Sequence, residues 1–175
     1  AANSAAGIVI MLSAPLLGAV ADRAGRRRRF LGGFAVIGIL ATAVLYLVPG
    51  GAWQLAAMAY ALGVVGFMGA NVFYDALLVD VAAGKDLDRV SARGVALGYL
   101  GGGLLFALCA AMSIMPDTFG LADQAAAVQL SFLLTALWWG LFSIPLWKHV
   151  PESPATGTPG RAWSEGFREL LNTLR

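Results

Sequence analysis

All 12 Lys and Arg residues of this 175-residue chain fall in three short segments, and long apolar runs separate them. Five runs approach the roughly 20 residues that an α-helix needs to cross a bilayer. They extend from about Asn3 to Ala21, Phe30 to Val48, Trp53 to Asp80, Gly94 to Met115 and Ala125 to Trp147. Pro49-Gly50-Gly51 stops the second, and Pro116 follows the fourth. Membrane-crossing strands are excluded, because they need polarity that alternates every second residue, and these runs show none. A cleaved leader is excluded too, because it carries its basic residues ahead of the apolar core. Composition agrees: 59% of the residues are hydrophobic and 13% charged, against about 25% charged in a soluble domain. Too few polar residues remain to coat a water-facing core. A soluble enzyme, a disordered segment and a nucleic-acid-binding domain are thereby ruled out, and an all-α integral membrane protein is expected. The 12 basic against 10 acidic residues are too balanced to argue for a polyanionic partner. One cysteine, Cys109, and one histidine, His149, form neither an intrachain disulfide nor a conventional zinc site, so no cofactor is expected.

The basic residues also orient the runs. Arg23, Arg26, Arg27, Arg28 and Arg29 separate the first two runs; Lys85, Arg89 and Arg93 separate the third and fourth; Lys148, Arg161, Arg168 and Arg175 follow the fifth. The connections at Pro49 to Ala52 and Pro116 to Gln124 hold none, and the latter carries Asp117 and Asp123. Cytoplasmic loops carry the excess of Lys and Arg. The expected arrangement is therefore a multi-pass protein of the cell's inner (plasma) membrane, with its N-terminal end outside and its C-terminal end in the cytoplasm. The chain starts at Ala1 rather than Met and ends inside an amphipathic pattern of Trp163, Phe167, Leu170, Leu171 and Leu174, so a piece of a longer protein is expected. That pattern fits a helix lying on the membrane surface and equally a solvated linker helix. With Pro151 to Pro159 rich in turn residues, the expected division is a bundle over 1–148 and a cytoplasmic linker over 149–175.

The loop Gly18-Ala-Val-Ala-Asp22-Arg23-Ala-Gly25-Arg26-Arg27 is unusually specific. Gly18 lets another helix come close. Asp22 follows four residues later on the same face, a carboxylate at the membrane edge that needs a partner. Gly25 permits a tight reversal, and the arginines hold the loop in the cytoplasm. Alone, such a loop could serve only to orient two helices. The spacing G-x-x-x-D-R-x-G-R-R resembles the signature loop of the major facilitator superfamily, between that family's second and third helices. The resemblance implies a transporter of twelve helices working by alternating access. The five runs would then be helices two to six, the first helix would be missing, and the remaining helices of the same protein would be partners along with the lipid bilayer. It also implies a conformational lock in which Asp22 and Arg26 form a charge network with Asp80. Further along, Gly94, Gly98, Gly101 and Gly102 offer a smooth face for helix packing. They resemble a superfamily pattern linked to antiport, but Tyr99 replaces its proline, so antiport does not carry over. The stretches Ser91 to Gly103, Asn71 to Asp80 and Gly166-Phe167-Arg168 look like the vacuole-effluxer-like branch, whose yeast members export amino acids. That branch implies export of amino acids or similar small solutes.

The third run holds the one ionisable residue well inside a run, Asp75. At 3.6 residues per turn, Tyr60, Phe67, Tyr74 and Asp75 lie within about 60° of Asn71, whereas Gly66 and Gly69 point the other way. A charge at the bilayer centre costs about 3 kcal/mol, so this face is expected toward water or a partner. Asp75 lies about 7.5 Å from Asp80 along the axis, in the cytoplasmic half. Tyr60, Asn71 and Tyr74 are the candidates to line a solute path, with Asp75 at its inner end; interhelical hydrogen bonding and pairing with the Arg loop are their plainer roles. Two other classes compete. An intramembrane aspartyl protease needs two carboxylates in one site, and only Tyr74-Asp75 is present, with no G-x-G-D later in the chain. A non-transporting sensor or scaffold on the same fold stays open. No P-loop is present, so ATP-driven transport is not expected. An enzyme is therefore not expected.

Overall fold

The computed structural model describes residues 2–82 and 87–152. They form α1 (Ala2–Ala24), α2 (Arg27–Leu47), α3 (Trp53–Val81), α4 (Leu87–Ile114) and α5 (Gln124–His149), with one 3-10 turn at Pro116–Phe119. The surface-helix pattern from Trp163 onward and most of the expected 149–175 linker lie outside the described residues.

Among the described residues four helices, α2 to α5, are long and apolar enough to cross a membrane. This corrects the expectation of five spans matching helices two to six. The first run is helical, yet α1 is not one of the four. Asn3 and Ser4 stand at its start, Asp22 and Arg23 at its end, and Ser13 and Pro15 between them. The apolar stretch left between them, residues 5–21, is at the lower limit of the length that a span requires, about 17 residues. The other boundaries shift for local reasons. α4 begins at Leu87 rather than Gly94, because nothing between those residues breaks a helix. α5 begins at Gln124, where the Asp123 side chain accepts a 2.8 Å hydrogen bond from the Ala126 N–H and so satisfies one of the donors left over at a helix start.

The reversal between α1 and α2 is a Schellman turn. The Arg26 N–H donates to the Ala21 carbonyl (3.0 Å) and the Gly25 N–H to that of Asp22 (3.2 Å). Gly25 stands at φ 59°, the left-handed conformation that this turn requires and that glycine adopts without a Cβ penalty.

α2 is the hub of the bundle, packing on α3 and α5, while α1 packs on α3 and α4 chiefly on α5. α2 and α3 meet where both lack side chains: a Cβ on Gly66 would lie 2.5 Å from the Gly38 Cα and 2.8 Å from the Phe34 carbonyl oxygen. One turn on, Phe34 fills the space over Gly69. This is close packing through small residues, the means by which helices associate where lipid is as apolar as the side chains. Around it Ala21, Leu31, Ala35, Ala70, Phe73 and Leu77 are buried together. The Phe73 ring lies 5.4 Å from that of Phe30 and 5.9 Å from that of Phe34. Most hydroxyls bond within their own helix, as Thr42 does to the Gly38 carbonyl (2.8 Å) and Ser143 to that of Trp139 (2.8 Å). Gln129 instead reaches across, donating to the Val48 carbonyl (2.9 Å) where α2 ends.

Candidate functional site

The ends of α1, α2 and α3 bring Asp22, Arg27 and Asp80 together. The Arg27 Nε donates to Asp22 Oδ1, and its Nη1 donates to Asp80 Oδ2 at 2.7 Å. Asp22 closes α1, Arg27 opens α2 after the Gly25 turn, and Asp80 stands in the last turn of α3. The Arg27 side chain is 20% exposed and the two carboxylates 41% and 32%. Hydrogen bonds of this kind between ionised partners are about twice as strong as neutral ones. Partial exposure moderates their worth. The lock expected from the sequence placed Arg26 at the centre. The structure puts Arg27 there, and Arg26 is exposed. The reason is the turn: Arg26 is the N-cap residue, with φ −128°, and the first residue inside α2 is the one that faces the two carboxylates. Gly18 is half-buried on α1, with nothing within 4 Å of a Cβ placed on it. The side chain of Arg23 lies outside the described residues.

The sequence shows Arg28 only as one of the basic run and gives no pairing of it with Glu152. The Arg28 backbone N–H donates to Glu152 Oε2 (3.0 Å), and its guanidinium Nη1 donates to the carbonyls of Val150 (2.7 Å) and Trp147 (3.4 Å). The available signal was modest: one carboxylate just past the last apolar run.

On the other side of α3, three cavities follow one another along the helix. An outer one of about 450 Å³ is lined by Val48, Tyr60, Gln129 and Phe132. A central one of about 670 Å³ is lined by Tyr60, Phe67, Gly98, Gly102, Trp138 and Trp139, among others. An inner one of about 200 Å³ is lined by Phe67, Asn71, Tyr74, Trp139 and Leu146. Neighbouring cavities share walls, so Tyr60, Asn71 and Tyr74 face one interrupted groove. Asp75 is exposed and lines none of the three. Of the aromatic walls that α5 contributes, Phe132, Trp139 and Phe142, the sequence points only to Trp139, as a packing or lipid-facing residue. Their helical spacing of seven and three residues was the signal.

The expected packing face on α4 divides. Gly94 lies under Tyr74, where a Cβ would sit 3.2 Å from the phenol oxygen, and Gly101 lies near Trp138. Gly98 and Gly102 have nothing within 4 Å and open onto the central cavity. Among the described residues no group of three or more His, Cys, Asp and Glu could hold a metal ion.

A protein family described as vacuole effluxer Atg22 like matches residues 2–86 and 79–175. An uncharacterized MFS-type transporter, YxiO, of Bacillus subtilis (strain 168) is 43% identical over 168 residues, which are 95% of this chain and 39% of that protein. The chain thus spans about two-fifths of the length of this curated relative. No solved structure matches it. The relationship is to transporters and not to enzymes. With several apolar helices of membrane-crossing length and a family match over nearly all its residues, this multi-pass membrane chain belongs to the MFS-type family described as vacuole effluxer Atg22 like.

Proposed function

We propose that the chain is part of a secondary active transporter that moves small solutes, amino acids among them, by alternating access. The observation that carries this reading is the Arg27 bridge, which ties the ends of α1 and α3 through the first residue of α2, in a chain related to an MFS-type transporter. A charge cluster at the membrane edge can persist in one conformation and break in another. It then shifts the equilibrium by the difference in its energy between the two, about 1–3 kcal/mol for a typical coupling. Gly25 shapes the turn that delivers Asp22 and Arg27, with Gly18 and Arg23 on α1 before it, and Arg26 stands beside it facing solvent. Residues 1–148 act as the membrane bundle and 149–175 as the cytoplasmic linker. The three basic segments face the cytoplasm, and the host membrane is the cell's inner (plasma) membrane.

In this reading the solute passes Tyr60, Asn71 and Tyr74 in the groove along α3, and Asp75 tunes the path from the cytoplasmic end. Supporting it is the shared groove: all three side chains border cavities whose other walls are largely apolar and aromatic. Such a lining leaves the few polar groups to orient a ligand. The test uses the complete protein in proteoliposomes, with counterflow of a panel of labelled amino acids. Counterflow of at least one should be seen. Tyr60→Ala and Asn71→Ala should each reduce it at least tenfold, with unchanged amounts of protein in the membrane. Normal counterflow in both variants would move the path to another face. No counterflow of any solute by folded, inserted protein would favour a sensor or scaffold.

A further inference from the structure

α2 starts with three consecutive arginines, and no acidic side chain stands in its first turn. Cations therefore crowd the positive end of the helix dipole, where carboxylates are the stabilising groups. The carboxylates come from other elements, Asp22 and Asp80 onto Arg27 and Glu152 onto the next two residues. Glu152 lies beyond the last helical residue of α5, His149. Its Oε2 accepts the Arg28 N–H at 3.0 Å, one of the donors that a helix start leaves without an internal partner. Its Oε1 faces the Arg29 Nε at 3.6 Å and the Arg28 Nε at 4.0 Å. In return, the Arg28 guanidinium bonds the Val150 carbonyl (2.7 Å) and reaches that of Trp147 (3.4 Å) at the end of α5. Such carbonyls have no partner within their own helix. Each helix end thus caps the other: a carboxylate on the N-terminus of α2 and a guanidinium on the C-terminus of α5.

We propose that this reciprocal cap is a clasp that fixes where the chain leaves the bundle, and that Glu152 passes any displacement of the chain beyond it to the first turn of α2. The reason is mechanical. Glu152 grips the backbone of α2, at the residue next to Arg27, and not merely a flexible side chain. A pull on Glu152 therefore moves the turn that carries the Asp22–Arg27–Asp80 bridge. An exit held only by side-chain tips would absorb the pull. Val150 sits inside the clasp, half-buried against the cluster that includes Ala21, Leu31 and Phe73. The clasp goes beyond the transport reading and does not depend on it, since it applies to any activity on this scaffold.

The test reads structure and not transport, so the two readings fail separately. In the complete protein with Cys109→Ala, a cysteine replacing Val150 reports opening of the clasp through its rate with a water-soluble maleimide. A spin-labelled cysteine replacing the exposed Arg26 reports motion of the α2 start, and a cysteine replacing Thr118 controls for global unfolding. Glu152→Gln should raise the rate at position 150 at least fivefold and mobilise the label at 26, with the rate at 118 unchanged. Arg28→Gln should do the same, and the double variant should exceed the larger single effect by less than twofold. A rate at 150 within twofold of the parent would overturn the clasp. A raised rate at 150 with an unchanged label at 26 would overturn the transmission to α2. Should Glu152→Gln alter the rate at 118 as well, Arg28→Lys, which keeps the charge but not the reach to two carbonyls, reads the same two signals.

Discussion

Arg26 and Arg27 are neighbours with opposite surroundings, and the difference comes from a single turn. Gly25 at φ 59° ends one helix, Arg26 caps the next, and Arg27, about 100° further round, points at Asp22 and Asp80. A charge-assisted hydrogen bond contributes about 1.5–3 kcal/mol, less where solvent screens it. Losing both partners of Arg27 should then change a conformational equilibrium by roughly tenfold or more. In the complete protein, Arg27→Ala is expected to slow transport at least tenfold, and Arg26→Ala less than twofold, at equal membrane levels. Asp22→Asn combined with Arg27→Ala should be little worse than Arg27→Ala alone, because Arg27→Ala already removes the Arg27–Asp22 bond together with the Arg27–Asp80 one. Uptake rates in proteoliposomes check all three. Greater harm from Arg26→Ala than from Arg27→Ala would mean that the bridge seen here is not the one that governs function.

At the scale of the elements, the glycines separate into packing and open positions. Gly66 lies against the backbone of α2, which cannot yield as a side-chain tip can. Overpacking of this kind costs about 1–3 kcal/mol. Gly66→Ala should therefore lower the midpoint of thermal unfolding in detergent by several degrees. Gly98→Ala and Gly102→Ala meet open space and should stay within about 0.5 kcal/mol of the parent. A drop for Gly98→Ala as large as that for Gly66→Ala would show that a further segment of the complete protein lies against α4. The α3 wheel was legible in the sequence, because Gly66 and Gly69 fall opposite Asn71 and close packing needs small residues. The α4 glycines were not separable, because spacing alone does not say which neighbour arrives.

For the molecule as a whole, four spans keep the three basic segments together, but the expected outside position of the N-terminal end rested on five spans and loses that basis. The Arg loop precedes α2, the Lys85 segment joins α3 to α4, and Lys148 closes α5, so the three basic segments share one side of an even set of spans. The contact of Arg28 with the end of α5 and the Arg27–Asp80 bond gather three of these ends physically. With Cys109→Ala, a cysteine replacing Thr118 should react with an impermeant thiol reagent in intact cells, and one replacing Lys148 only after lysis. The reverse pattern would invert the proposed topology.

The chain's own order of residues settled the class and marked which helix ends carry the basic residues. Hydrocarbon length and charge placement act residue by residue, so a membrane helical bundle, the turn at Gly25, the stop at Pro49-Gly50-Gly51 and the gathering of basic residues were readable without coordinates. The loop Gly18 to Arg27 likewise marked the place where Asp22 finds its partner. Tertiary structure decided which arginine that partner is, because the choice depends on where one turn releases the chain into α2. It decided that Glu152 and Arg28 cap each other's helices, a contact between residues far apart in sequence that no local pattern encodes. It also decided which side chains border the groove, since Phe132, Trp139 and Phe142 become walls only once α5 is packed on α2. The expectation of five spans failed at α1, where the stretch between the polar ends is at the lower limit of the length that a span requires.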